Sequence, residues 1–167
     1  DFGIEANTLA PAPGRALVPW ARSETPGAAD GGAKFDLARW DPAYFERLRS
    51  FVAEAGKRGI VVEVVLFSSH YGSGWPYAPL HAANNVNGIG TAPKEKAQTL
   101  DNGNLLAEQE RVVRKVVAEL KDFDNAYYEI QNEPWADHER PADVVNASVL
   151  PGDVAPPGVL VRWRQGR

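Results

Sequence analysis

The chain has 167 residues, enough for one domain with its own core, and 44% hydrophobic and 24% charged residues is ordinary globular usage. A formal net charge of -4 supplies no basic excess for nucleic acid or an anionic membrane, and no apolar run approaches the roughly 18 residues that span a bilayer. The absence of Cys excludes disulfides, thiolate metal sites and a Cys nucleophile, and His70, His81 and His138 lack the paired spacing of zinc hydrolases, so no metal or other cofactor is implied.

Residues 1–36 read as irregular. Pro11, Pro13, Gly14, Pro19, Pro26, Gly27, Gly31 and Gly32 leave little room for regular structure, although Leu17, Val18, Trp20 and Phe35 are apolar enough to dock on a surface. A helix is predicted next. Asp41 suits its N-cap and Pro42 its first position, where a missing N–H costs nothing. Phe45, Leu48, Val52 and Ala55 recur at helical spacing, and Gly59 fits the C-terminal cap.

The following run, IVVEVVLF at 60–67, is short, β-branched and apolar except for Glu63, as in a strand of a parallel sheet. A connection of roughly 35 residues then carries His70, Tyr71, Trp75, Tyr77, His81, Asn84, Asn85 and Asn87. Asn102 or Asn104 can cap a second helix over about 105–121, with Leu106, Val112, Val113, Val116, Val117 and Leu120 as its apolar stripe. The second strand is AYYEIQ at 126–131. Helix, strand, helix, strand predicts βα units on a parallel sheet. Beyond about Arg140 four prolines break up the chain, and residues 141–167 read as a poorly structured tail.

The second strand runs directly into Asn132-Glu133-Pro134. In parallel α/β folds ligands bind at the carboxyl ends of strands. An acid there, desolvated by an aromatic neighbour such as Trp135, is suited to donate a proton to a leaving group. Asn132 can bond a substrate hydroxyl, and Pro134 stiffens the backbone after the acid. Tyr71, Trp75, Tyr77 and Trp135 offer flat apolar faces to sugar C–H groups, with Tyr71 and Trp135 the strongest candidates. His70 follows the first strand and is a candidate ligand contact. Asn84, Asn85 and Asn87 are expected to bond within their own loop, and Trp20 and Trp40 to pack.

The stretches RWDPAYFERLRSFVAEAGKRGIVVEVVLF, NNVNGI and EQERVVRKVVAELKDFDNAYYEIQNEPW resemble clan A glycoside hydrolases of the cellulase-like, family five type. The resemblance covers about residues 1–140. It implies a (β/α)8 TIM barrel of which this chain holds about strands three and four with their helices, the opening FGIEANTLAPAPGR matching the loop after strand two. It implies a retaining glycosidase acting on β-linked poly- or oligosaccharides, secreted or periplasmic, with Glu133 as acid/base, Asn132 on the sugar 2-hydroxyl, and a substrate-contacting His at the position of His70. The family's nucleophile, a Glu on strand seven, has no counterpart here, nor does its strand-two Arg. Glu129 and Glu63 each sit four residues short of a strand end, roughly 13 Å deep, too far for the roughly 5 Å carboxyl separation of a retaining enzyme. They are expected low in the barrel or at its packing interface. With no Met in the chain, the expectation is a fragment cut at both ends, with a frameshifted tail after about Arg140 and no activity alone. Two rival readings stand beside it. One is a carbohydrate-binding or degenerate barrel protein without turnover. The other is a doubly wound α/β domain, for which the chain lacks a Gly-rich phosphate loop.

Overall fold

Trp20 to Pro26 and Ala33 to Trp40 form the first two strands, β1 and β2, paired antiparallel with Trp20 opposite Trp40 and Arg22 opposite Phe35. The computed structural model describes residues 17–70 and 74–132, and the backbone alone of 161–162. Helix α1 spans Pro42–Gly56, strand β3 Val62–Ser68, the short helix α2 Lys94–Ala97, helix α3 Leu106–Leu120, strand β4 Ala126–Asn132, and the two-residue strand β5 Val161–Arg162. β3 pairs parallel with β4, from Val62 opposite Ala126 to Ser68 opposite Asn132, and β5 lies parallel on the far side of β4.

The barrel expectation is overturned. The described residues form two small sheets, an antiparallel pair and a parallel group, and no barrel. Helix–strand alternation is a local signal. It predicts the parallel β3–α3–β4 unit, but it does not specify closure, and β1 and β2 bond to each other rather than extend the β3–β4 sheet.

β1 and the start of β2 likewise fall within residues 1–36, where the sequence predicts irregular chain. The prolines and glycines bound the strands instead of breaking them. Gly27 and Gly31 take positive φ (101° and 82°) in the connecting turn, a conformation that costs Gly little. The Asp30 carboxylate receives the Arg22 guanidinium and the Gly32 N–H, which closes the hairpin, and the Arg22 guanidinium lies 3.7 Å over the Phe35 ring.

Both long helices follow their sequence signals. The Asp41 carboxylate accepts from Ala43 N at 2.9 Å with Pro42 opening α1, and Gly59 takes φ +68° beyond its end. Phe45, Val52 and Ala55 are buried. On α3, Val112, Val113, Val116, Val117 and Leu120 are buried, and the Asn102 Oδ1 accepts from Leu106 N at 3.1 Å. β3 begins two residues later than predicted, with Ile60 and Val61 53% and 65% exposed. Asn125 joins the two units: its Nδ2 donates to Val52 O and Ile60 O, and its own carbonyl accepts from Val62 N.

One apolar cluster joins the two sheets. It contains Trp20, Phe35 and Leu37 from the hairpin, Phe45 and Val52 from α1, Leu66 and Tyr128 from β3 and β4, and the α3 stripe. At its centre α3 contributes charge. Glu108 is buried, accepts from Trp20 Nε1 at 2.5 Å, and pairs with Arg111 through two contacts of 2.8 Å. Arg111 also donates to Leu37 O and lies 3.8 Å over the Trp40 ring. Trp20 and Trp40 are packing residues, stacked at 6.4 Å.

The connection after β3 is ordered by Asn amides. Asn84 Oδ1 accepts from Ala29 N, and its Nδ2 donates to Pro76 O and Ala78 O. Asn85 Nδ2 donates to His81 O and Ile89 O, and Asn87 Oδ1 accepts from Leu37 N. These asparagines therefore bond within their loop, as expected, and also across to the hairpin.

Two stability measurements test this architecture. A Cβ on Gly90 would stand 1.6 Å from Leu80 O at φ +89°, whereas one on Gly88, at φ +67°, would meet nothing within 4 Å. Urea unfolding is expected to show Gly88→Ala costing about 1–2 kcal/mol, the backbone penalty alone, and Gly90→Ala costing about 4 kcal/mol or more, because the loop must also move. Glu108→Ala removes the acceptor shared by Trp20 and Arg111, and a loss of about 3 kcal/mol is expected in the same measurement.

Candidate functional site

The parallel register brings the carboxyl ends of β3 and β4 level. Phe67 lies opposite Gln131 and Ser68 opposite Asn132. The Asn132 carbonyl accepts from Ser69 N at 3.3 Å and from Ser69 Oγ at 3.2 Å, and Gln131 Nε2 reaches Ser69 Oγ at 3.4 Å. Asn132 is half-buried. His70 follows immediately and is 7% exposed. The structure therefore brings Asn132 and His70 to one edge of the sheet. Glu133, Tyr71 and Trp135 lie outside the described residues, as do the predicted tail, apart from β5, and the opening stretch likened to a strand-two loop.

Strand alternation puts Glu63, Val65 and Phe67 on the same face as Tyr127, Glu129 and Gln131. Glu129 is buried and Glu63 half-buried. They belong to the sheet face behind the strand ends.

The His70 ring packs against Trp75, centroids 4.7 Å apart, and Trp75 meets His81 edge-on at 5.2 Å. Trp75 is 5% exposed and donates its indole N–H to Ala92 O at 3.0 Å. The structure places it as the anchor that holds the long connection to the core. His81 accepts from Ala83 N at Nδ1, capping a single 3₁₀ turn. Below His70, a cavity of about 10 Å³ is lined by Phe67, Ser68, Ala78, Pro79, Leu80 and Gln98. That volume holds one water at most.

Sequence patterning leaves Gln98 and Gln109 out of the candidate site. Gln98 closes the pocket over His70 at 3.5 Å, and Gln109 holds Gln98 at 3.4 Å. Gln98 gives no sequence signal, because it follows a helix of only four residues. Gln109 does give one. It interrupts the apolar stripe of α3 three and four residues before Val112 and Val113, and a buried polar residue in such a stripe requires partners. Among the described residues no three His, Asp or Glu side chains gather as a metal site, and no helix is long and apolar enough to cross a membrane.

Burial pushes the His70 pKa from 6.5 down to about 4, reinforced by the charges of Lys94 and His81. His81 shifts the same way through burial. A His whose pKa falls on folding binds its proton more readily when unfolded. Its contribution is thus complete above the unfolded value of 6.5 and is lost as pH falls toward about 4. The unfolding free energy from urea titrations is expected to fall through that window with a slope approaching about 1.4 kcal/mol per pH unit. His70→Asn is expected to flatten the slope. An unchanged slope in that variant would remove His70 as its source.

No curated protein and no solved structure matches this chain. A family model described as a domain of unknown function, DUF6298, matches residues 12–141. That span takes in the hairpin, both long helices, the parallel pair and the strand ends just described, and the chain belongs to the DUF6298 family.

Proposed function

We propose that the chain contributes the acid/base of a glycoside hydrolase acting on β-linked poly- or oligosaccharides. The observation that carries this reading is the register of β4. Its carboxyl end at Asn132 lies level with Ser68 of β3, and the next residue in sequence is Glu133, followed by Pro134. A carboxylic acid at the carboxyl end of a parallel strand stands where α/β folds bind their ligands. His70 at the neighbouring strand end adds a neutral hydrogen-bonding group, and Asn132 an amide.

In this reading Glu133 protonates the glycosidic oxygen as the bond to the anomeric carbon breaks. It then takes a proton from the water that releases the sugar. The partner carboxylate must lie about 5 Å away for retention. Glu129, four residues back along β4, is roughly 13 Å distant by strand rise, so the nucleophile is assigned to a position outside the described residues.

Glu133→Gln in the intact enzyme, with its nucleophile present, is the test. With unactivated β-glycans it is expected to lower kcat/KM by about 10²–10⁴-fold. With an activated aryl glycoside, whose leaving group needs no proton, the first step survives and added azide restores turnover. Parental rates in the variant on natural substrate would overturn the acid/base assignment. Calorimetric binding of oligosaccharides by the intact, unsubstituted protein without any hydrolysis would replace catalysis with sugar binding.

A further inference from the structure

A line of buried amides runs from the start of α3 to the end of β3, and its polarity is fixed along its length. The Leu106 N–H can only donate, so the Asn102 atom 3.1 Å away is Oδ1. Asn102 Nδ2 therefore faces Gln109, 2.8 Å from Oε1. The Gln109 Nε2 is left to donate to Ala97 O at 2.9 Å and to Gln98 Oε1 at 3.4 Å. That leaves Gln98 Nε2 against Ser68 O and His70 Nε2, each at 3.5 Å. Ala97 O and Ser68 O can only accept, so two backbone carbonyls independently agree with this assignment. Asn102, Gln109 and Gln98 are all buried, and no reversal of one amide is possible without setting donor against donor.

At the end of the line an amide nitrogen meets a ring nitrogen. The amide can only donate, so His70 Nε2 must accept, and a neutral imidazole then carries its proton on Nδ1. We infer that Gln98 is a positioning residue that holds His70, just beyond the end of β3, as the neutral Nδ1–H tautomer. The tautomer does not depend on the hydrolase reading above. The low pKa of His70, caused first by burial and then by Lys94 and His81, keeps the ring neutral in the same direction.

The test is the ¹⁵N–¹H correlation spectrum of the imidazole rings, with His70 assigned by the signals lost in His70→Asn. The expected result is an unprotonated Nε2 and a protonated Nδ1, unchanged over about pH 5 to 8. Gln98→Glu exchanges the donor for an acceptor. It is expected to move the proton to Nε2 and to bring the titration of the ring into that pH range. Gln109→Leu, which keeps Gln98 but removes the group orienting it, is expected to give a mixture of tautomers. An Nε2–H tautomer in the unsubstituted protein overturns the inference without requiring any variant to fold. So does a Gln98→Glu spectrum and titration identical to the parent's. Since no readout depends on sugar turnover, the expected spectrum would support the relay whether the hydrolase reading stands or falls.

Discussion

The joint between the two sheets is the buried Glu108. β1 and β2 bond to each other, β3 and β4 bond to each other, and the ladders do not connect. What crosses between them is side chain. Glu108 on α3 accepts the Trp20 indole N–H and the Arg111 guanidinium, and Arg111 reaches on to the Leu37 carbonyl and the Trp40 face. A carboxylate in that position is costly to desolvate and is tolerated because its charge and its lone pairs are both answered. The hairpin is thereby tied to α3 by directional polar contacts as well as by the surrounding apolar cluster.

The connection after β3 depends on that placement. A segment of roughly 35 residues with little regular structure must find partners for its backbone groups. Here Asn84, Asn85 and Asn87 supply them, and two of the three also reach the hairpin, at Ala29 and Leu37. Gly90 lets the chain return against Leu80 at a distance no side chain allows. Trp75 pins the start of the segment to Ala92. The loop is therefore a packed layer over the carboxyl end of β3, and it sets the burial of His70.

The strand ends show how far a local motif carries. The parallel pairing, both helix boundaries to within a residue or two, the cap at Asp41, the Gly59 turn and the packing roles of Trp20 and Trp40 were legible because each depends on residues close in sequence or on simple burial. Barrel closure was not legible. Two helix–strand units look alike whether or not further strands join them, and the resemblance carried that inference beyond what the residues specify. The hairpin was missed for the opposite reason. Proline and glycine counted over 36 residues hide the alternation of Phe35 and Leu37 within AKFDLARW.

By itself the sequence determined the helices, the parallel strands and the placing of Asn132 at a strand end, because periodicity and caps act over a few residues. It also raised His70 as a candidate contact. Only the tertiary structure decided what surrounds that ring. Gln98 and Gln109 lie 28 and 39 positions along the chain from His70, and no spacing rule brings them there. The α3 stripe turns Gln109 inward, Asn102 orients it, and the packing of α3 beneath the connection delivers Gln98 to His70. A hydrogen-bond direction that originates at one backbone N–H is transmitted through buried amides because none of them can turn without losing its partner.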